Sequence, residues 1–422
     1  MERCDLDTAI RKDQQDPLVK FKEQFFVEPG TIYMDGNSLG LMSKRAEAKL
    51  VELMESWKQF GIEGWTEGEN PWFTLAESMS EQAAPLFGAK AHEVMVTGSI
   101  TSNIHQMLST VYAPTDERFV ILVDELNFPS DIYAVESHLR LRGQDPAVAM
   151  RKVKSRNGYT LEMEDIVAEL QDDVAVSLLP SVLYRSGQLL PLREITQAAH
   201  QKGIIAGFDL AHSAGAMPHE LHADGVDFAV WCHYKYMNSG PGGTGGLYLH
   251  ERHHDLNPGI AGWFGSDKAK QFDMDHSFTK AQGAGAYQVG TPNIFSMAPL
   301  IGSLELFEEA GIDQIRTKSL ELTAMLRERL AELVPSLIDV TPQADDDRGG
   351  HIALAHKEAA RICKALKKAG IVPDFRAPDI IRLAPVAFYT SFEDVEKVAL
   401  ALQEIIDHEL YKEFSNERNV VA

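Results

Sequence analysis

A lysine that follows an apolar segment is the first candidate for chemistry in this sequence. The segment Phe228–Trp231 leads into His233-Tyr234-Lys235, and a turn with glycines 240, 242, 243, 245 and 246 comes next. Sheets of α/β proteins bind ligands beyond the carboxyl ends of their strands. A lysine there, with its pKa lowered by its surroundings, can act as a nucleophile and form a Schiff base. The alternative is a surface lysine ahead of a flexible loop.

A carboxylate stands at the end of a second apolar segment. Asp209 follows Ile204–Phe208, and His212 comes three residues later. A carboxylate in this place can pair with a protonated pyridine nitrogen and keep that ring an electron sink. Capping of the next helix is the alternative. No G-x-G-x-x-G motif opens a helix, which disfavours a dinucleotide site. Asp209 and Lys235 together indicate pyridoxal phosphate.

Two further loops could complete the same site. Gly98–Thr101 follows the apolar segment Glu93–Thr97 and opens a predicted helix. Hydroxyl and backbone N–H groups at a helix N-terminus can hold a phosphate. After Phe119–Val123, Phe128 could stack on a planar ring and Asp131 could reach its edge. A plain helix cap and a core phenylalanine with a capping aspartate are the alternatives.

Composition excludes several other classes of protein. Charged residues make up 24% and apolar residues 44% of 422 residues, as in globular proteins that dissolve in water. A net charge of −22 argues against nucleic acid or an anionic membrane as partner. Cys4, Cys232 and Cys363 have no spacing of a metal site or disulfide framework, so no metal is expected and a reducing cytoplasm fits best. We expect no signal peptide and no membrane helix.

The pattern along the chain predicts an α/β protein. Apolar strands alternate with helices, which is typical of a mostly parallel sheet covered on both faces. Predicted strands are Glu93–Thr97, Phe119–Val123, Val174–Leu179, Ile204–Phe208, Phe228–Trp231, Gly246–Leu249, His351–Ala355 and Ile380–Leu383. Predicted helices are 46–60, Ile104–Tyr112, Leu192–Lys202, Ala298–Leu333 with a break at Gly311, Lys357–Ala369 and Phe392–Leu410.

The pattern of predicted strands and helices divides the chain into three segments. Residues 1–45 form an N-terminal segment that we expect to pack with a small domain. Residues 46–295 form the large cofactor-binding domain. Residues 296–422 form a smaller α+β domain.

The ordered motifs resemble aminotransferase class V, within the aspartate-aminotransferase fold (fold type I) of pyridoxal-phosphate enzymes. Within that class, the chain is similar to the kynureninase family, of bacterial type, over nearly its whole length. The matching segments are Tyr33–Leu41 (YMDGNSLGL), Trp65, Asn70-Pro71-Trp72, Thr101-Ser102-Asn103, Phe128–Asp131, Tyr184–Gln188 (YRSGQ), Asp209–His212, Trp231–Tyr236 (WCHYKY), Gly262–Gly265 (GWFG), Gln288–Pro292 (QVGTP) and Ile381–Val386 (IRLAPV). The resemblance implies a large domain with a seven-stranded, mostly parallel sheet.

The resemblance also implies a role for each site residue. Lys235, Tyr234 and Asp209 would be catalytic, with Lys235 as the Schiff-base lysine and Asp209 beside the pyridine nitrogen. Cofactor contacts would come from Ile100, Thr101, Phe128, Asp131, Asp209, His212, Tyr234, Lys235, Trp263 and Thr291. Substrate contacts would come from Ser38, Trp65, Thr291 and Arg382, with Arg382 on the α-carboxylate. Trp263 would reach the cofactor of the other subunit, because the family forms homodimers with interfacial sites.

The activity implied is hydrolysis of the Cβ–Cγ bond of L-kynurenine to anthranilate and L-alanine, in tryptophan catabolism. The sequence departs from the animal enzymes at His233, where they have serine, and at Trp65 and Thr291, where they have histidine and asparagine. Replacing those two polar residues removes partners for a ring hydroxyl, so we predict that 3-hydroxykynurenine is the poorer substrate. The alternatives are a cysteine desulfurase, a class V aminotransferase or a regulator that only binds pyridoxal phosphate.

Overall fold

The computed structural model describes residues 6–417, so Cys4 lies outside the described residues. Strands are β1 (Ile32–Tyr33), β2 (Val94–Val96), β3 (Val120–Asp124), β4 (Met150–Val153), β5 (Val174–Pro180), β6 (Ile205–Asp209), β7 (Phe228–Cys232), β8 (Gly245–Leu249), β9 (Ile338–Asp339), β10 (Ile352–Ala355), β11 (Ile371–Val372), β12 (Asp374–Arg376) and β13 (Ile380–Leu383). Helices are α1 (Leu6–Gln15), α2 (Lys44–Phe60), α3 (Leu75–Ala83), α4 (Ile100–Val111), α5 (Pro129–Leu141), α6 (Pro146–Ala149), α7 (Met163–Glu169), α8 (Leu192–Gln201), α9 (Leu221–Asp224), α10 (Ile294–Ala310), α11 (Ile312–Leu333), α12 (Ala359–Lys368) and α13 (Phe392–Asp407).

A seven-stranded sheet forms the centre of the large domain, in the order β2-β8-β7-β6-β5-β3-β4. Strands β7, β6, β5, β3 and β4 are parallel, and β8 pairs antiparallel with both β7 and β2. Every residue of β3, β5, β7 and β8 is buried, as expected where helices cover both faces of a parallel sheet. The predicted fold class and the seven strands are confirmed.

The predicted strands of this sheet agree with the structure to within one residue at each end. Strand β4 was not predicted by the sequence pattern. Its sequence, Met-Arg-Lys-Val, lies at the sheet edge and only Val153 is buried, so it has no continuous apolar run. The long helical run does break at Gly311, whose φ of 76° is left-handed, and the last helix ends three residues earlier than predicted.

A four-stranded antiparallel sheet, β12-β13-β10-β9, forms the centre of the C-terminal part of the chain. Two elements of the N-terminal segment attach there. Strand β1 pairs in parallel with β11, and the carboxylate of Asp13 accepts hydrogen bonds from the backbone N–H groups of Phe392 and Glu393 at 2.7 and 2.9 Å. Helix α10 packs on α2 against the core of the large sheet. The divisions at residues 45 and 295 remain predictions.

In residues 6–417, no helix is both long enough and apolar enough to cross a membrane.

Candidate active site

A cavity of about 320 Å³ opens where the parallel strands β6 and β7 end. It lies between that edge of the large sheet, the start of α4 and the strands β12 and β13. Its lining residues are Asn37, Ser38, Ser99, Ile100, Thr101, Phe128, Ser130, Asp131, Asp209, Ala211, His212, Cys232, Tyr234, Lys235, Gly243, Arg376 and Arg382. The structure therefore brings most of the predicted site residues around one volume.

Lys235 extends into this cavity from the turn that follows β7. Its amine nitrogen lies 3.0 Å from Nε2 of His212 and 5.9 Å from the centre of the Phe128 ring. The turn is held from two sides: Asn238, at a φ of 55°, donates its N–H to the Lys235 carbonyl at 3.0 Å, and Gly40 donates to the Tyr234 carbonyl at 2.8 Å. A Cβ atom on Gly40 would overlap the Lys235 carbonyl oxygen, so glycine permits this approach.

Two buried carboxyl groups lie together on the cavity wall. Asp209 ends β6 and accepts the Ala211 N–H at 2.8 Å, while Asp131 lies in the first turn of α5 and is 1% exposed. Burial raises the pKa of Asp209. Burial, followed by the nearby charge of Asp209, raises the pKa of Asp131 well above its ordinary value. Oδ2 of Asp131 is buried and has no partner among the described residues. A cation or hydrogen-bond donor entering here would stabilise the ionised form of Asp209.

His212 supplies a donor on the same wall. Burial, reinforced by the charge of Lys235, lowers the pKa of His212 well below its ordinary value. The neutral ring accepts from Lys235 at Nε2, so its hydrogen belongs on Nδ1. Within residues 6–417, that buried Nδ1 has no hydrogen-bond partner. Its N–H group is therefore free to donate to a bound molecule.

The N-terminus of α4 lies opposite these groups. Ser99 caps the helix in a reciprocal pair with Ser102, and the first-turn N–H groups of Ile100 and Thr101 have no acceptor within the helix. Gly98 has a φ of 60°, and a Cβ there would overlap Oδ1 of Asn103. The glycine lets the chain turn into a helix whose positive end points at the cavity, which suits a phosphate.

Two arginines from the small sheet close the other side. Arg382 is 1% exposed; its Nε pairs with Asp374, its Nη1 donates to the Tyr184 carbonyl at 2.7 Å and its Nη2 to Oγ of Ser38 at 3.1 Å. Arg376 donates from Nη2 to the same Ser38 oxygen at 3.2 Å. Sequence analysis singled out Arg382 and Ser38 but missed Arg376.

Three predicted site residues do not line this cavity. Trp65 packs against Trp72 and Phe264, with ring centres 5.6 and 6.0 Å apart. Trp263 is 42% exposed, and Thr291 is exposed beside a different depression of about 720 Å³ that includes Gly98 and Asn103. Within one chain, these three residues are not part of the lining of the cavity that contains Lys235.

The lining also includes Ser99, from the predicted phosphate loop Gly98–Thr101, and residues that the sequence analysis gave no role: Asn37, Ser130, Ala211, Cys232, Gly243 and Arg376. Asn37 is fully buried, and neither atom of its amide has a hydrogen-bond partner in the described part of the chain. Asn37 stands inside the YMDGNSLGL motif, so the motif itself could have indicated it.

Comparison with known proteins identifies the family. The chain is 55% identical over 421 residues to a kynureninase of Geobacillus thermodenitrificans (strain NG80-2), covering 99% of this chain and 98% of that one. It is 54% identical over 416 residues to a kynureninase of Bacillus anthracis, covering 98% and 97%. The chain belongs to the kynureninase family. The family model for the kynureninase C-terminal domain also matches residues 315–402.

Solved structures of similar fold support the architecture. A mutant of C-DES, with glycine covalently linked to its pyridoxal-phosphate cofactor, superposes with a TM-score of 0.78 at 19% identity, covering 91% of this chain and 99% of that one. An apo cysteine desulfurase from Thermococcus onnurineus NA1 superposes with a TM-score of 0.76 at 17% identity, covering 92% and 98%. At such identities, the likeness establishes the shared fold of class V pyridoxal-phosphate enzymes.

Proposed function

We propose that this kynureninase-family chain binds pyridoxal 5′-phosphate and hydrolyses the Cβ–Cγ bond of L-kynurenine, giving anthranilate and L-alanine. The observation that carries the proposal is the placement of Lys235, Asp209 and the α4 N-terminus around one cavity. Full-length identity of 54–55% to kynureninases supports the reaction class.

The lining residues fit this cofactor. The α4 N-terminus, with Ile100 and Thr101, would hold the phosphate, and the exposed face of Phe128 would stack on the ring. Asp209, a buried carboxyl group whose pKa is raised by burial, would hold the protonated ring nitrogen, whose positive charge would stabilise the ionised form. The unpartnered atoms Oδ2 of Asp131 and Nδ1 of His212 are buried polar groups that a bound ring substituent would satisfy.

Pyridoxal phosphate, when bound, supplies an electron sink next to the α-carbon of an amino acid. Lys235 is then the base that removes the α-proton, because its amine lines the cavity 5.9 Å from the centre of the Phe128 ring, on which the cofactor ring would stack. His212 keeps that amine in place through the 3.0 Å contact. Arg382 binds the substrate carboxylate with its planar fork.

Tyr234 is the candidate acid for addition of water to the ketone and for release of the products. It lines the cavity beside Lys235 and is half-buried. Burial, followed by the neighbouring Cys232, raises the pKa of its phenol. The hydroxyl therefore stays protonated at neutral pH. Tyr234 would first act as a general acid, and only the phenolate left after that step could act as a base.

A cysteine desulfurase function is disfavoured by the two described cysteines. That chemistry needs a thiolate nucleophile that can reach the substrate. Cys232 lies in the cavity wall and Cys363 lies in α12, and burial raises the pKa of both thiols. Both are held in regular structure, which does not suit a mobile nucleophile.

We also propose a homodimer with interfacial sites. Trp263 and Thr291 are exposed and do not line the cavity of their own chain, so they would act on the cofactor of the partner subunit. Trp65 and Thr291 would then shape the substrate pocket, with L-kynurenine preferred over 3-hydroxykynurenine. The cysteine usage supports a cytoplasmic location.

The test is product analysis on the holoenzyme. With L-kynurenine and no keto acid, the proposal expects anthranilate fluorescence and alanine to appear together. Sulfide release from cysteine without anthranilate would support a desulfurase, and a strict need for a keto acid would support an aminotransferase.

A further inference from the structure

The strands β12 and β13 place two guanidinium groups around one carboxylate. Asp374 lies opposite Arg382 in the antiparallel register, and Arg376 lies two residues further along β12, on the same face as Asp374. Nε of Arg382 pairs with Oδ2 of Asp374, and Nε of Arg376 lies 3.0 Å from the same oxygen. Each guanidinium also donates from Nη2 to Oγ of Ser38.

Asp374 and Ser38 thus hold both arginines in the same way, but the two guanidinium groups differ in how many N–H groups remain for a ligand. Arg382 is 1% exposed and uses Nε, Nη1 and Nη2 on protein partners. The Arg376 side chain is 28% exposed, faces the same cavity and has Asp374 and Ser38 as its contacts. Among the described residues, Arg376 therefore has more N–H groups without a partner than Arg382, the arginine that sequence comparison selected.

The carboxylates around the two guanidinium groups also bear on whether this site can bind an anion. Among the described residues, the two guanidinium groups share their ion pairs with Asp374 alone. Asp35 lies nearby; burial and the charge of Asp374 raise its pKa to about 6, while the charges of Arg382 and Arg376 oppose that rise. Asp374 is the one described carboxylate in direct ion-pair contact with the two guanidinium groups, and their remaining N–H groups can bind a small anion.

We propose that Arg376 is a second arm of the substrate-carboxylate clamp, acting with Arg382, and that Asp374 and Ser38 position both guanidinium groups. The inference rests on the proposed function, because the ligand it assigns is the α-carboxylate of the amino acid. It predicts that the site discriminates between a carboxylate and its neutral amide through two arginines.

The test uses the holoenzyme and a ligand that needs no turnover. L-alanine and L-alaninamide are titrated separately while the cofactor absorbance is followed, and the two dissociation constants are compared. In Arg376→Gln, the dissociation constant of L-alanine should rise by about tenfold or more, since a charge-assisted contact is lost. That of L-alaninamide should change by less than about twofold.

Two further variants keep the experiment decisive. Arg361→Gln removes an arginine of similar exposure, which lies in α12, pairs with Glu358 and does not line the cavity, and it should leave both dissociation constants unchanged. Arg376→Lys keeps the charge but not the fork, and should weaken L-alanine binding by an intermediate factor. If Arg376→Gln does not fold, Arg376→Lys takes its place as the test of the inference.

Unchanged alanine binding in Arg376→Gln or Arg376→Lys would overturn the inference, and so would equal losses for alanine and alaninamide. Kynurenine turnover is measured separately. If alanine binding weakens in Arg376→Gln as expected but the wild-type protein releases no anthranilate from kynurenine, the proposed function is refuted. The assignment of Arg376 as a carboxylate contact would still hold.

Discussion

The amine nitrogen of Lys235 lies 3.0 Å from Nε2 of His212, at the edge where β6 and β7 end. Burial lowers the pKa of His212, so the ring is neutral and accepts this hydrogen bond. The contact holds the amine at the cavity. In the proposed function, this amine is both the covalent anchor of the cofactor and the base, so the chemistry depends on Lys235.

Replacement of Lys235 tests that dependence. Lys235→Ala should lose the visible absorbance of the lysine-bound cofactor and nearly all turnover of kynurenine, because both the covalent anchor and the base are removed. The exposed Lys202→Ala is the matched control and should keep both. If Lys235→Ala retains the absorbance band, another lysine holds the cofactor.

Tyr234 separates chemistry from cofactor binding. Tyr234→Phe should still bind pyridoxal phosphate, but kcat should fall by about 10²–10⁴, the range for loss of a general acid. Because burial raises the pKa of this phenol, wild-type kcat should show no loss of activity from its ionisation between pH 6 and about 9. A wild-type rate in the phenylalanine variant would leave Tyr234 as a structural residue.

A mixed dimer tests whether Trp263 acts on the partner's site. Lys235→Ala and Trp263→Ala subunits are unfolded and refolded together, with each variant alone as the control. If Trp263 acts across the interface, a heterodimer has one site with both native residues, so the mixture should exceed the mean activity of the two parents. Activity equal to that mean would mean that Trp263 acts within its own chain, or not at all.

The choice of substrate is a further test. The kcat/KM for L-kynurenine should exceed that for 3-hydroxykynurenine, because Trp65 and Thr291 offer the ring hydroxyl little. Trp65→His should shift the ratio toward 3-hydroxykynurenine. An advantage for the hydroxylated substrate in the wild-type protein would contradict this.

Asp124, at the end of β3, predicts a pH-dependent stability. It is fully buried, and burial raises its pKa to about 7. Between about pH 4 and pH 7 the folded state then holds a proton that the unfolded state has lost, so stability falls as pH rises through that window.

Asp124→Asn removes this loss while keeping an acceptor for the Leu126 N–H. Relative to wild type, its free energy of unfolding should rise by on the order of 4 kcal/mol between pH 4 and pH 8. Urea denaturation at both pH values measures the difference, and the exposed Asp116→Asn is the control. If the difference in free energy of unfolding between Asp124→Asn and wild type does not change with pH, the pKa of Asp124 is the same in the folded and unfolded states.

The sequence predicted the parts of the site that depend on local order along the chain. Lys235, Asp209 and Gly98–Thr101 each follow an apolar strand, and parallel strands bring such loops to one edge. Arg376 could not be predicted in this way, because its place depends on the register that sets Asp374 opposite Arg382. Strand β4 was missed because an edge strand with polar residues has no apolar run. That Trp263 and Thr291 do not line the cavity of Lys235 depends on tertiary packing, which spacing along the chain does not reveal.

The most direct test of the account is turnover of L-kynurenine by the holoenzyme in water enriched with heavy oxygen. Hydrolytic cleavage predicts equimolar anthranilate and alanine, with one heavy oxygen in the anthranilate carboxylate and no requirement for a keto acid. Anthranilate without the label, or kynurenine consumed without alanine, would contradict the central claim.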